Sequence, residues 1–150
     1  MRTTTRRPIL IVEDSDDDFE AAQRALMRDG ELHNPILRFD NGAEALNYLF
    51  RKAPYDDPQR FPRPELVLLD LNMPGIDGRS VLTSIKEDDS TRCIPVVVLT
   101  TSDDEGDISQ CYRAGANSYV RKPVALDEFT ATLQSLRRFW LQVAVLPGER

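Results

Sequence analysis

Short apolar runs alternate with longer amphipathic segments along the chain, and this alternation restricts the fold more than any other feature. The apolar runs lie at residues 8–12, 36–39, 66–69, 95–99 and 118–120. Between them, apolar residues recur every three or four positions, as on one face of a helix. Strands that are apolar on both faces are typical of a parallel sheet covered by helices on both sides. The pattern therefore predicts an α/β domain with five strands and five helices.

Residues 51–64 interrupt the alternation. Four prolines fall in this segment, at positions 54, 58, 62 and 64. Proline lacks a backbone donor and disfavours helix, so we predict a loop. Loops longer than about 12 residues are uncommon inside a compact domain and often carry function. A tolerated surface insertion explains the segment equally well, and both interpretations stay open at this point.

Charge and hydropathy exclude several classes of protein. The net charge is −6, from 25 acidic and 19 basic residues, whereas a protein that grips nucleic acid needs a basic face. No segment approaches the ~20 apolar residues that span a bilayer. Glu13 and Asp14 interrupt the first apolar run, which excludes a signal peptide. Cys93 and Cys111 are too far apart for a redox pair or metal motif, so we expect a cytoplasmic protein without nucleic-acid or membrane partners.

The domain boundaries follow from the same pattern. We predict a flexible amino-terminal arm over residues 1–7, one domain over residues 8–138, and an apolar extension over residues 139–150. The last helix is predicted from apolar residues at 126, 129, 133, 136 and 140. Apolar residues of the extension either fold back onto the core or form an interface. We favour a homodimer that uses the extension with the fourth helix, fifth strand and fifth helix.

Polar residues end the apolar runs at the same end of each predicted strand. Glu13 and Asp14 follow the first strand, Asp70 the third, Thr100 the fourth and Lys122 the fifth. The carboxyl ends of parallel strands line the crevice where ligands bind. A single strand-end Asp is usually a cap or turn residue, but three carboxylates in one crevice repel each other unless a cation neutralises them. Because Mg²⁺ prefers oxygen ligands, we predict a magnesium site that includes Glu13 and Asp14, with Asp70 at its edge.

Asp70 ends the most apolar strand, which favours a firmly held carboxylate able to attack phosphorus as a nucleophile. Lys122 can stabilise the charge on a transferred phosphoryl group, and Thr100 can donate a hydroxyl hydrogen bond to it. A solvated surface lysine and an ordinary strand-end threonine are the alternatives. Pro123 weakens the first of these, since proline restricts the residue before it.

Four segments together resemble the receiver domain of two-component response regulators. They are IVED at 11–14, LLDLNMPGIDG at 68–78, VLT at 98–100 and YVRKP at 119–123. The match runs from about residue 8 to residue 136, with its landmarks in order, and the combination is far more specific than any single motif. The resemblance implies the flavodoxin-like receiver fold, in which the five parallel strands have the order 2-1-3-4-5.

The resemblance also implies a role for each landmark residue. Asp70 resembles the phosphoacceptor and Lys122 the phosphate-binding lysine. Glu13 and Asp14 resemble the acidic pair that holds Mg²⁺, and Asn72 resembles the residue whose main-chain carbonyl joins the metal. Thr100 resembles the switch hydroxyl and Tyr119 the switch aromatic. Glu13 departs from the commoner Asp-Asp pair, and its longer side chain leaves direct ligation or ligation through water open. The family also commonly has a cis Lys-Pro bond, which we expect at Lys122–Pro123.

A narrower resemblance concerns the loop at 51–64 and the extension at 138–147. Both are similar to the response regulators that partner bacterial and cyanobacterial phytochromes. This implies a histidine kinase, of the bacteriophytochrome type, as phosphoryl donor, and a downstream protein as receiver of the output. About a dozen residues follow the last predicted helix, so we expect output through protein contact rather than enzymatic turnover. Phosphorylation should draw Thr100 towards the phosphoryl group and let Tyr119 rotate into the space that it leaves.

Two other functions compete with this one. A receiver-like fold kept only as a phosphorylation-independent interaction module is the first, although such versions typically lose the acceptor or the lysine. A haloacid-dehalogenase-type phosphohydrolase is the second. It usually has a second Asp two residues after the nucleophile, and this position is Asn72 here.

Overall fold

The structure is a computed structural model that describes residues 6–148. Parallel strands alternate with α-helices as the sequence predicts. The strands are β1 (Ile9–Val12), β2 (Ile36–Phe39), β3 (Leu66–Leu69), β4 (Val96–Thr100) and β5 (Ser118–Arg121), and the helices are α1 (Asp16–Met27), α2 (Gly42–Leu49), α3 (Gly78–Glu87), α4 (Glu105–Ala114) and α5 (Leu126–Arg138). A 3-10 turn (Arg28–Gly30) follows α1, and a π-helix (Phe139–Val143) follows α5. The sheet order is β2-β1-β3-β4-β5, and every pairing is parallel. The predicted fold class is confirmed.

The sheet separates two apolar layers because successive side chains of a strand point to opposite faces. In β1, Leu10 and Val12 pack towards α2, α3 and α4, whereas Ile9 and Ile11 pack towards α1 and α5. Strands β3 and β4 divide their side chains in the same way. Both faces of the central strands are therefore dry, and polar side chains are confined to the strand ends.

Four helices begin with the side-chain cap that their sequences provide. Ser15, Asn41, Asp77 and Asp104 each accept a hydrogen bond from the backbone N–H three residues later. Such caps satisfy donors that the first helical turn leaves free. Because each capped helix starts just beyond a strand, the caps fix the loops that carry the candidate site residues.

The apolar extension divides into packed and exposed residues. Trp140 and Leu141 pack against the layer shared by α1 and α5. Phe139 and Val143 are exposed, and Val145 is 98% exposed. Leu126, which the sequence pattern places in the stripe of the last helix, is instead 67% exposed, because α5 begins at this residue and its packed face starts at Phe129. Residues 1–5 of the predicted arm lie outside the described residues.

The proline-containing loop folds back onto β2 and α2 through aromatic side chains. The ring of Tyr55 lies 5.8 Å from Phe39, 5.5 Å from Tyr48 and 5.3 Å from Phe61, measured between centroids. The Tyr55 hydroxyl donates to a carboxylate oxygen of Glu44 at 3.0 Å. These contacts give the loop an ordered path without secondary structure of its own.

Cys93 is exposed, Cys111 is buried, and both are free thiols. Within residues 6–148, the helices are too short or too polar to cross a lipid bilayer.

Candidate functional site

Three carboxylates converge at the carboxyl edge of the sheet. Glu13, Asp14 and Asp70 each place a carboxylate oxygen within 4.8 Å of the other two. The register explains this arrangement, since Val12 pairs with Leu69 and the Asp70 amide donates to the Val12 carbonyl at 3.1 Å. Glu13 is 5% exposed and Asp70 is 8% exposed, while Asp14 faces solvent. The cluster is therefore open to solvent at Asp14, while the candidate ligands Glu13 and Asp70 are buried.

Lys122 reaches the same crevice from the end of β5. Its ammonium donates to a carboxylate oxygen of Glu13, to Asp18 Oδ2 at 3.0 Å and to Asp70 Oδ2 at 3.4 Å. The Lys122 amide donates to the Thr100 carbonyl at 2.7 Å, which fixes the backbone beside β4. One ammonium is thus shared by three carboxylates.

The expected cis bond at Lys122–Pro123 is not found. Within residues 6–148 the cis peptide bond is Ala53–Pro54, and Lys122–Pro123 is trans. Trans is the lower-energy form of most X-Pro bonds, and it already lets the lysine side chain reach Asp70.

Burial opposes the charged forms of both Glu13 and Lys122, but the net effect on the pKa follows burial only for Glu13. Desolvation raises the pKa of Glu13 to about 7, because it outweighs the hydrogen bond and the attraction from Lys122, and the Asp70 charge acts in the same direction. Burial alone would lower the pKa of Lys122, but its hydrogen bond to Glu13 and the charges of Asp70 and Glu13 raise it. Lys122 therefore stays charged at neutral pH, while Glu13 is poised to exchange a proton for a cation.

The donor set fits a hard divalent cation. Glu13, Asp14 and Asp70 supply carboxylate oxygens, which Mg²⁺ and Mn²⁺ prefer over nitrogen or sulfur. The side chain of Glu13 also accepts from the Ser15 amide at 3.1 Å, and this bond holds one of its oxygens in place. Asn72 is the residue whose main-chain carbonyl is expected to bind the cation. Its backbone N–H donates to Asp70 Oδ1 at 3.3 Å.

Thr100 and Tyr119 lie beside this crevice but contact different partners. Thr100 is fully buried, and its hydroxyl oxygen accepts from Asn72 Nδ2 at 3.5 Å. The Tyr119 hydroxyl donates to the Ser102 carbonyl at 2.8 Å, and its ring packs against the layer of α2, α3 and α4. Tyr119 is therefore already directed towards the loop after β4.

The sequence did not predict a polar network that joins this loop to α3 and α4. The Arg79 guanidinium donates to Asp107 Oδ1 at 3.1 and 2.6 Å, and the Ser102 hydroxyl donates to Asp107 Oδ2 at 2.7 Å. These bonds lower the pKa of Asp107, with the Ser102 bond as the largest cause. The network joins α3 and α4 to the residue whose carbonyl holds Tyr119. No pattern in the sequence pairs Arg79 with Asp107, which are 28 residues apart.

Two further residues near the carboxylates were also missed. Arg38 donates to the Glu13 carbonyl at 3.1 Å, pairs with Asp16 at 2.7 Å and lies 4.8 Å from the centre of the Phe19 ring. It braces the turn between β1 and α1 from the side of β2. Asp18 contacts Lys122, and in the sequence it is only one of three acids in the first turn of α1.

Comparison with known proteins gives concordant results. The family model of the response regulator receiver domain matches residues 9–134. Response regulator Rcp1 of Synechocystis sp. (strain PCC 6803) is 40% identical over 140 residues, which cover 93% of this chain and 92% of that protein. The crystal structure of the phosphorylated cyanobacterial phytochrome response regulator RcpA has a TM-score of 0.90 at 37% identity, with 96% of this chain and 100% of that chain covered.

The Mn²⁺-bound form of Rcp1 superposes with a TM-score of 0.88 at 37% identity, over 95% of this chain and 99% of that one. Sequence motifs, strand order and full-length structural similarity thus agree. The chain belongs to the family of response regulator receiver domains.

Proposed function

We propose that this protein is a response regulator that accepts a phosphoryl group from a histidine kinase onto Asp70, with Mg²⁺ bound beside it. The observation that carries the proposal is the position of the Asp70 carboxylate. It is nearly buried, it lies within 4.8 Å of the Glu13 and Asp14 carboxylates, and Lys122 is 3.4 Å from it. A phosphorylated form of RcpA and a Mn²⁺-bound form of Rcp1 support the chemistry by similarity.

In the proposed reaction an Asp70 oxygen attacks the phosphorus of the phosphorylated kinase histidine, and the P–N bond breaks as the acyl phosphate forms. Lys122 stabilises the negative charge on the phosphoryl oxygens. Glu13, Asp14, Asp70 and the Asn72 carbonyl would hold the cation, which supplies further charge neutralisation when bound. Burial of Asp70 keeps its oxygens aimed at one approach path and limits competing hydration.

Output is proposed to begin at Thr100. The phosphoryl oxygens attract its hydroxyl away from Asn72, and the backbone moves with it. Ser102 lies two residues later, and its carbonyl accepts a hydrogen bond from the Tyr119 hydroxyl at 2.8 Å. A displacement of this loop therefore pulls on Tyr119. The expected rotation of Tyr119 stays a prediction, and its bond to the Ser102 carbonyl would give the movement a direct route to β5.

We propose a kinase of the phytochrome type as the donor and a cytoplasmic location. Similarity to Rcp1 and RcpA over nearly the whole chain supports the partner, since RcpA is described as a cyanobacterial phytochrome response regulator. A downstream protein would read the phosphorylated state, and the domain itself would turn over no substrate.

The proposed division places the receiver at residues 8–138 and the apolar extension at 139–150. Phe139, Val143 and Val145 are exposed on the extension, and Leu136 and Val120 lie beside Phe139 in a groove along α5 and β5. We propose that this face forms a homodimer. Light scattering at micromolar concentration should give a dimer mass, and Phe139→Ser with Val143→Ser should give a monomer. A monomeric wild type, with and without phosphorylation, would remove the proposal.

Acetyl phosphate and Mg²⁺ provide the central test. Intact-mass spectrometry should show the addition of one phosphoryl group to the wild type, and Asp70→Asn should abolish it. Asp77→Asn is the matched control, since it changes the same charge seven residues away and an Asn still caps α3. No incorporation into the wild type would favour the phosphorylation-independent interaction module. Turnover of small phosphate esters would favour the phosphohydrolase.

A further inference from the structure

Within residues 6–148, Lys122 has three carboxylate partners, and two of them have a role in the proposed function. Glu13 and Asp70 belong to the cluster that fits a cation, and Asp70 also carries the phosphoryl group. Asp18 belongs to neither set, yet its Oδ2 lies 3.0 Å from the Lys122 ammonium, closer than Asp70 at 3.4 Å. Asp18 is therefore the partner of Lys122 that the reaction leaves free.

The position of Asp18 suits a fixed anchor. It lies in the first turn of α1, where its amide donates to the Ser15 hydroxyl at 3.2 Å. Its side chain is 43% exposed, against 10% for Asp70, so it sits at the rim of the crevice instead of inside it. Helix α1 packs against α5, whose start follows Lys122 by four residues. Asp18 thus lies on a packed helix, and the Lys122 backbone is held beside β4 by the bond from its amide to the Thr100 carbonyl.

Binding of a cation at Glu13 and Asp70 would withdraw their negative charge from Lys122. A lysine side chain is a flexible four-carbon chain with a strongly hydrated ammonium, so without a partner the ammonium turns towards solvent. Asp18 opposes this movement because it is the most exposed of the three partners and still holds the ammonium at 3.0 Å. Its charge also does not enter the cation site, where the three clustered residues are Glu13, Asp14 and Asp70.

We propose, on the basis of the function above, that Asp18 is a positioning residue for Lys122. It holds the ammonium beside Asp70 when the cation and the incoming phosphoryl group engage the other two carboxylates. Asp18 itself touches neither the cation nor the phosphoryl group, and it acts through Lys122 alone.

A matched pair of variants separates this role from general electrostatics. Asp18→Asn and Asp17→Asn remove the same charge from the same helical turn, but Asp17 is exposed and lines the groove between α1 and α5 instead of the crevice. With acetyl phosphate at saturating Mg²⁺, Asp18→Asn should lower the maximal rate of phosphorylation by about tenfold, as expected for a misplaced catalytic group. Asp17→Asn should stay within about twofold of the wild type, since its charge is screened by solvent. Asp18→Glu should recover most of the rate, because it keeps the carboxylate at a side chain that is 43% exposed.

Two additional measurements identify the route of the effect. In a Lys122→Gln background, Asp18→Asn should have no further effect, because residues that act through one contact are not additive. The Mn²⁺ dissociation constant, measured by electron paramagnetic resonance, should be the same for Asp18→Asn and Asp17→Asn. Thermal melts of each variant establish that it is folded at the assay temperature.

Several outcomes overturn the inference. Equal rates for Asp18→Asn and Asp17→Asn would make Asp18 an ordinary surface acid. A selective loss of Mn²⁺ binding in Asp18→Asn would make it part of the cation site, and an undiminished effect in the Lys122→Gln background would show that it does not act through Lys122. These results leave the proposed function intact if the wild type still takes up a phosphoryl group at Asp70. Absence of that uptake would remove both.

Discussion

Replacing Gly78 with Ala tests how tightly the start of α3 is packed against the candidate phosphoacceptor. A Cβ at this position would lie 2.0 Å from the Asp70 carbonyl oxygen and 2.6 Å from the Leu71 Cα. Both contacts are with backbone, and the Asp70 side of the contact belongs to the end of a fully buried strand. No side chain can rotate away to make room. Helix and strand end must therefore separate by about 1 Å to reach an acceptable distance.

The expected cost follows from two opposing contributions. Overpacking of a dry interior costs about 1–3 kcal/mol, and the upper half of that range applies because backbone must move. Replacing a helical glycine returns at most about 1 kcal/mol. We therefore expect a net loss of about 2 kcal/mol in the free energy of unfolding, or a melting temperature lower by roughly 4–8 °C for a chain of this size. Phosphorylation with acetyl phosphate should slow as well, because the Asp70 carbonyl moves with its side chain.

Gly106→Ala is the matched control for the first turn of a helix. A Cβ there would meet Asp104 Oδ2, the oxygen that caps α4, at 2.9 Å, and this side chain can shift by a few tenths of an ångström while it still accepts from the Asp107 amide. Thermal denaturation should place Gly106→Ala within about 0.5 kcal/mol of the wild type. If Gly78→Ala also melts and phosphorylates like the wild type, the contact with Asp70 does not constrain the site and the reasoning is wrong.

The affinity for Mn²⁺ should rise between pH 6 and pH 8, because burial raises the pKa of Glu13 to about 7 and the cation must displace its proton; a pH-independent affinity measured by titration calorimetry would contradict this. Tyr55→Ala should speed tryptic cleavage within residues 51–64, since it removes the ring that contacts three others, whereas Tyr55→Phe should resist trypsin like the wild type. Arg137→Met should lower the free energy of unfolding, measured by urea denaturation, by about 2–3 kcal/mol, because the buried guanidinium donates to the Leu26 and Arg28 carbonyls at the end of α1. The control Arg138→Met changes an exposed neighbour and should lower it by less than about 0.5 kcal/mol. Equal losses would show that the bonds from Arg137 contribute nothing.

The raised pKa of Glu13 also makes the stability of the cation-free protein depend on pH. The folded-state pKa of Glu13, about 7, lies above its ordinary value of 4.5. A folded state that holds a proton more tightly than the unfolded chain is favoured at low pH, so this contribution is present in full below pH 4.5 and is lost as pH rises through about 7. Divalent cation should offset the loss at neutral pH, because it binds the deprotonated carboxylate in the folded state only.

The fold and the location of the crevice were accessible from the sequence because both depend on strand-level patterns. Apolar runs placed the strands, and polar residues within two positions of the ends of four runs placed Glu13, Asp70, Thr100 and Lys122 at one edge. Backbone geometry alone brings these positions together, since parallel strands of similar length end at the same edge of the sheet. Little side-chain detail was required for the prediction.

The contacts made by helices were less accessible. Which neighbours Asp18, Asp107 and Arg79 contact depends on the rotation of each helix about its axis, which the core packing decides. A run of acids such as Asp16 to Asp18 looks uniform in sequence, yet its three members differ in exposure and partners. The trans bond at Lys122–Pro123 was missed for a related reason, because the resemblance supplied a common family feature and the residues themselves did not determine the isomer.

The arrangement around Ser102 bears on how far a phosphoryl group can change the protein. Thr100 is bonded to Asn72 on one side of the crevice, while Ser102, two residues along, joins Tyr119 through its carbonyl and Asp107 through its hydroxyl. Movement of this short segment therefore strains two contacts at once, one to β5 and one to the Arg79–Asp107 pair that links α3 and α4. The equilibrium can shift by no more than the difference in phosphoryl contacts between the two conformations. Each of these hydrogen bonds contributes about 1 kcal/mol. One new bond from Thr100 to the phosphoryl group and one stronger bond from Lys122 would therefore offset the loss of the two contacts that Ser102 makes.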